Sequence, residues 1–181
     1  GYKGKILEVN LSNGSVRTTS VEPALLRNYV GGSGLAAKLF LDRVSPAVEP
    51  LSAENPLFIL PGPLTGTSLP GTGRFSVAAK SPLTNIWGVA NCGGHFGAEL
   101  KFAGYDGIIV EGASSEPVYL SIEDDAVEIR DASDVWGKDI YVTIDILEQK
   151  SGRKRGKVLA IGQAGENLVK FAAIAGHKGD F

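Results

Sequence analysis

A single cysteine, Cys92, stands among 181 residues, so the chain closes no disulfide within itself and builds neither a zinc nor an iron–sulfur site from its own cysteines. Methionine is absent, and with Gly1 at the start no initiator is visible, which predicts a processed chain or a piece of something longer. Lysine plus arginine number 18 against 20 acidic residues, with no long run of either sign. That balance argues against a nucleic-acid footprint and against a polybasic membrane anchor. No apolar stretch approaches the roughly 20 residues of a membrane span, and no basic-then-apolar leader opens the chain. The expectation is a soluble, cytoplasmic protein. Also missing are the phosphate loop GxxxxGKS/T, HExxH, CxxC, the GxSxG elbow and the EF-hand loop, which removes the commonest self-contained sites.

What the chain does have is 43% hydrophobic residues, a globular composition able to bury about 70% of the unfolded surface in a single core. Its 24 glycines are about twice the usual ~7% share and follow no period, so each serves a local purpose. Lys5–Leu11 alternates apolar and polar, Ser12–Ser15 turns, and Val16–Thr19 returns, predicting a β-hairpin. Glu22-Pro23 opens a short helix ended by Gly31-Gly32, and Leu35, Leu39 and Phe40 stripe a second one to about Arg43. Strands are predicted at Pro56–Leu60, Arg74–Ala78 and Ile86–Ala90, with a breaker-rich loop from Pro61 to Gly73. A helix through Phe96, Leu100 and Ala103 then stops at Gly104, and Gly107–Gly112 is a buried strand. A second hairpin, Val118–Ile122 and Ala126–Arg130, precedes a helix carrying Ile140, Ile144 and Leu147 and strands at Val158–Ile161 and Val169–Ile174. Hairpin, helix, strand, glycine turn, strand thus occurs twice at about half-chain spacing, which predicts an α+β fold of two β-sheets related by an internal duplication; coincidence among common motifs is the alternative.

For chemistry, Gly32-Ser33-Gly34-Leu35-Ala36-Ala37 matches the dinucleotide pattern, yet a helix and not a strand precedes it, so a helix–helix turn explains the glycines as well. The stronger stretch runs from Gly73-Arg74 to Asn91-Cys92-Gly93-Gly94. Glycines opening a helix leave backbone N–H groups for an anion, and an arginine suits bidentate contact with phosphate or a planar heterocycle; the plain reading of Arg74 is a surface arginine. Asn91 either caps the helix or turns a carbonyl toward a hard cation such as magnesium. Cys92 reads as a small packed residue, His95 as exposed, and Glu99 as a solvated carboxylate.

The order of motifs GKILEVNLSNG, GPLTGTSLPGTGRFSVAAKSPLT, NCGGHFGAELKFAGYDGIIVEG, VEIRDASDVWGKD and GQAGENLVKFAAIAGH resembles the N-terminal domain of the aldehyde ferredoxin oxidoreductase family, tungsten or molybdenum enzymes with a bis-molybdopterin cofactor. The resemblance implies that residues 1–181 form a cofactor-binding base of two sheets with a pseudo-twofold axis, within a longer enzyme whose helical C-terminal domains are absent. It implies that Arg74 contacts both pterins, and that Asn91, Gly93 and Gly94 contribute cofactor contacts. The Asn91 backbone carbonyl would hold a Mg2+ that bridges phosphates. Where the family has a phosphate-binding segment rich in Arg, Ala and Gly, this chain has Lys178-Gly179-Asp180-Phe181, making Lys178 and Gly179 the corresponding candidates. The implied reaction is aldehyde to carboxylic acid, with electrons passing through a 4Fe-4S cluster held by the absent part to ferredoxin. A homo-oligomeric full-length enzyme is also implied. The alternative is a non-catalytic scaffold or interaction domain that keeps the fold without cofactor.

Overall fold

The computed structural model describes residues 1–152 and 156–176. The first predicted hairpin is β1 (Lys5–Asn10) with β2 (Ser15–Ser20), antiparallel with Val9 opposite Val16. Two helices follow, α1 (Pro23–Tyr29) and α2 (Gly32–Arg43), then β3 (Leu57–Pro61), β4 (Phe75–Lys80) and β5 (Trp87–Cys92). α3 (Phe96–Phe102) leads to β6 (Gly107–Glu111). These strands form a six-stranded sheet in the order β2-β1-β6-β3-β4-β5, in which β1 and β6 are parallel and every other pair is antiparallel. β3 reads as an unbroken apolar run because it is central and covered on both faces. Pro61 stands at its very end, past the residues paired with β6, where its missing N–H breaks no ladder.

One face of the sheet carries α1 and α2: Leu26, Leu35, Ala36 and Leu39 pack on Ile6, Phe58, Leu60, Ala78 and Ile109. The stripe Leu35, Ala36 and Leu39 is what drives α2 onto the sheet, and the Lys38–Asp42 pair at 2.6 Å lies on its outer side. The opposite face buries Leu7, Val9, Ile59, Phe75, Cys92, Leu100 and Ile108 beneath α3 and the second hairpin, β7 (Val118–Glu123) with β8 (Ala126–Asp131). α4 (Ile140–Ser151) is started by Asp139, whose carboxylate accepts from Val142 N–H at 3.0 Å, and stopped by Gly152 in the left-handed region. An apolar cleft of about 630 Å³ lies between this layer and the sheet.

The last predicted strands differ from expectation. Only Leu159–Ala160 (β9) and Ala175–Gly176 (β10) pair, and the glycine turn between them holds a short helix, α5 (Gln163–Glu166). The predicted strand Val169–Ile174 is instead a run of turns. Leu168, just before it, has φ +56° and donates to Gly165, Val169 N–H donates to Ala164 and Ala172 N–H to Val169, so the chain bends through local turns where an extended strand was expected. The second half therefore has hairpin, helix and strand in the predicted order, built into two two-stranded sheets rather than one large one.

Candidate functional site

The predicted cofactor stretch is positioned by the β4–β5 pairing. Its register sets Phe75 opposite Cys92, Ser76 opposite Asn91 and Val77 opposite Ala90. At the hairpin end Ser81 N–H donates to the Ile86 carbonyl (2.8 Å), which fixes the phase of the ladder. Hydrogen-bonded pairs alternate in an antiparallel ladder, so Ser76 and Asn91 form a non-hydrogen-bonded pair, the kind in which side chains come closest. Ser76 Oγ donates to Asn91 Oδ1 at 2.9 Å. The same alternation turns the Asn91 backbone N–H and C=O away from β4 toward the open edge of the sheet, since β5 is an edge strand. Asn91 is therefore a strand residue and caps no helix: α3 begins at Phe96 with His95 at its N-cap, because Cys92 is drawn into the core opposite Phe75 and extends the strand.

One step beyond the paired residues, the same register carries Arg74 opposite Gly93 and Gly73 opposite Gly94. The strands stay adjacent there, for a Cβ built on Gly73 would meet the Gly94 carbonyl at 3.0 Å. Gly94 has φ +74°, a conformation that favours glycine. Gly93 is different: a Cβ there would meet nothing within 4 Å among the described residues, and no left-handed φ requires glycine. Among the described residues the space over Gly93 is open. Arg74 is exposed, and among the described residues its guanidinium pairs with no carboxylate. Its carbonyl is held by Thr65, a residue 4% exposed whose Oγ1 donates to Arg74 O (3.0 Å) and accepts from Gly62 N–H (3.1 Å). That hydroxyl orders the loop that its glycines and prolines would leave loose.

The start of α2 roofs the same face. Gly32, at φ +50°, lies so close to Ser76 that a Cβ would meet its Oγ at 3.3 Å. Gly34 is needed by the helix–helix junction, since its Cβ would fall 2.6 Å from the Tyr29 carbonyl, so the Gly32–Ala37 pattern is accounted for by that turn. Arg74, Asn91, Gly93 and Gly94 are thus brought together, with Ser76 and Thr65 behind them. Neither of these two is conspicuous in the sequence; only register and burial single them out. Cys92 faces the other side of the sheet, Glu99 lines the apolar cleft there, and His95 is exposed, so none joins the cluster. Lys178 and Gly179 lie outside the described residues. Among the described residues no three His, Cys, Asp or Glu side chains gather as a metal site, and no helix is long and apolar enough to cross a membrane.

Comparison with known proteins places this geometry in context. Residues 6–180 match the family model "Aldehyde ferredoxin oxidoreductase, N-terminal domain". The chain is 50% identical over 180 residues to the tungsten-containing aldehyde ferredoxin oxidoreductase of Pyrococcus furiosus and 51% identical to that of Thermococcus kodakarensis, each match covering 98% of this chain and 30% of the relative. It is also 39% identical, over 96% of its length, to the WOR-like subunit of an aliphatic sulfonate oxidoreductase of P. furiosus. Among solved structures, the active site complex BamBC of benzoyl coenzyme A reductase with 1,5 dienoyl-CoA superimposes with a TM-score of 0.95 at 44% identity, over 97% of this chain and 27% of that one. The chain therefore spans about 30% of the length of the curated relatives it matches.

Proposed function

The chain belongs to the aldehyde ferredoxin oxidoreductase family, and from that premise we propose that it is the pterin-binding base of a tungsten- or molybdenum-dependent enzyme that oxidises aldehydes to carboxylic acids. Electrons would leave through a 4Fe-4S cluster, held elsewhere in the full-length protein, to ferredoxin. The two hairpin–helix–strand series are read as the halves of a duplicated base on which the cofactor lies, with helical domains of the same protein closing over it. Oxidation is the chemistry of the tungsten–pterin group when bound; this chain's residues bind and orient it.

The residues fit such a group. Arg74 offers a planar, permanently charged fork with no carboxylate partner among the described residues, suited to ring edges and phosphate oxygens alike. The Asn91 carbonyl, directed to the sheet edge, is an oxygen donor of the kind Mg2+ takes, and a magnesium there would offset the repulsion between phosphates. Lys178 and Gly179 are proposed to complete the anion contacts.

The observation that carries the reading is Gly93, a glycine that neither its backbone conformation nor any neighbour among the described residues demands, set beside an arginine that pairs with none of the described carboxylates. A ligand approaching the backbone there explains both. The test is tungsten, molybdenum and pterin content of the full-length enzyme purified without oxygen, as wild type, Arg74→Ala and Gly93→Ala. Both variants are expected to fold and to lose most of the metal and pterin. Undiminished content in both would overturn the proposal.

A further inference from the structure

We propose that Ser76 is a positioning residue for this site: its hydroxyl pins the Asn91 side-chain oxygen inward, so that the Asn91 amide N–H2 and backbone carbonyl are the groups presented to the cofactor. The inference rests on the reading of Asn91 given above and deepens it. Ser76 is 4% exposed, covered by Gly32 at the start of α2, and among the described residues its hydroxyl has Asn91 Oδ1 as its polar partner. A buried hydroxyl needs an acceptor, and here the acceptor is a side chain that is itself exposed on an edge strand. An exposed asparagine otherwise turns freely about its side-chain bonds, presenting oxygen or nitrogen alike. With Oδ1 held, only the amide donors face outward.

The consequence is a division of labour within one residue. The outward N–H2 suits an anionic oxygen, while the cation is left to the backbone carbonyl, which the ladder phase directs to the open edge. Fixing the amide in advance spares the ligand the cost of ordering it, about 0.5–1.5 kcal/mol for an immobilised side chain, or roughly two- to tenfold in retention. Gly32 belongs to the same device, because a larger residue there would press on the Ser76 hydroxyl.

The experiment uses the full-length holoenzyme as wild type, Ser76→Ala, Asn91→Ala, Asn91→Asp and the Ser76→Ala/Asn91→Ala double variant, and follows loss of tungsten and pterin with time in a chelating buffer, alongside thermal unfolding. Ser76→Ala is expected to lose cofactor roughly two- to tenfold faster, by the same immobilisation argument. It is expected to add nothing in the Asn91→Ala background, since it acts through that residue. Asn91→Asp keeps the acceptor for Ser76 but replaces outward donors by charge, and is expected to lose cofactor at least as fast as Asn91→Ala. A Ser76→Ala enzyme that retains cofactor like the wild type while Asn91→Ala loses it would overturn the positioning role and leave the site standing. Equal effects of Ser76→Ala in both backgrounds would mark a merely structural serine and also overturn it. Full retention by both Asn91 variants would remove Asn91 from the site, and the inference with it.

Discussion

Lys101 and Asp106 are 3% and 4% exposed at their side chains, and the Asp106 carboxylate also accepts the N–H groups of Lys3 (2.8 Å) and Gly4 (2.6 Å). The pair joins α3 to the start of the chain. Lys101→Met leaves a buried carboxylate without its counter-charge and is expected to cost about 3–5 kcal/mol, read as a fall in the urea midpoint at unchanged m-value. Glu8 is a second buried acid. Burial opposes its ionisation, but hydrogen bonds and charge from Arg43 and Arg17, each at 2.6 Å, outweigh that and hold its pKa below the ordinary 4.5. In that interval the unfolded state binds more protons, so the stabilisation is complete above pH 4.5 and fades as pH falls through the lowered folded value. Glu8→Gln is expected to flatten the acid limb of the stability profile; an unchanged limb would exclude this triad as its source. Thr143 shows the converse case: its Oγ1 is buried with no partner among the described residues, and Thr143→Val is expected to stabilise by about 1 kcal/mol. At this scale Arg74, Asn91 and Gly93 are singled out in the sequence by the motifs that resemble the family, since the bare residues admit a surface arginine and a helix cap equally well. Ser76 is not, since a serine in an apolar strand has many uses and its partner comes from across the ladder.

Between elements, tolerance is set by where backbones touch. Gly112 ends β6 at φ +78°, and a Cβ there would fall 2.6 Å from Ser12 Oγ and 2.7 Å from its N, in the turn joining β1 and β2. Gly112→Ala is expected to cost about 2–4 kcal/mol, combining a left-handed residue with an overpacked contact, and a loss under 1 kcal/mol in thermal unfolding would mean that the turn yields. Val30 links α1 to α2 at φ 65° and ψ −60°, with Gly31 N–H on the Tyr29 carbonyl at 2.7 Å, a γ-turn of the rare, strained kind. Tyr2 Oη donates to its carbonyl at 2.6 Å. Strain of that sort persists only where surroundings fix it, and here it sets down the glycine roof over Ser76. Strands and helices with clear periodicity, β1 to β6 among them, are readable from sequence. The run Val169–Ile174 misleads because its apolar residues satisfy β propensity while Val169 and Ala172 bond locally and turn the chain.

Over the whole molecule, the arrangement of the strands could not be read from their number. The sequence lists the strands in order, whereas in the sheet β6 enters between β1 and β3 and joins them. No local pattern encodes that insertion; it follows from two apolar faces that must both be covered. It also orders events in time. The strands β4 and β5 are joined by residues 81–86 alone, but the contact of Lys3 with Asp106 spans 103 residues and waits on a costlier closure. Pulse-labelled hydrogen exchange during refolding is expected to protect β4 and β5 amides before those of β6, and simultaneous protection would contradict it. On that order the hairpin that follows Arg74 and carries Asn91 would stand before the strand that seals the sheet arrives.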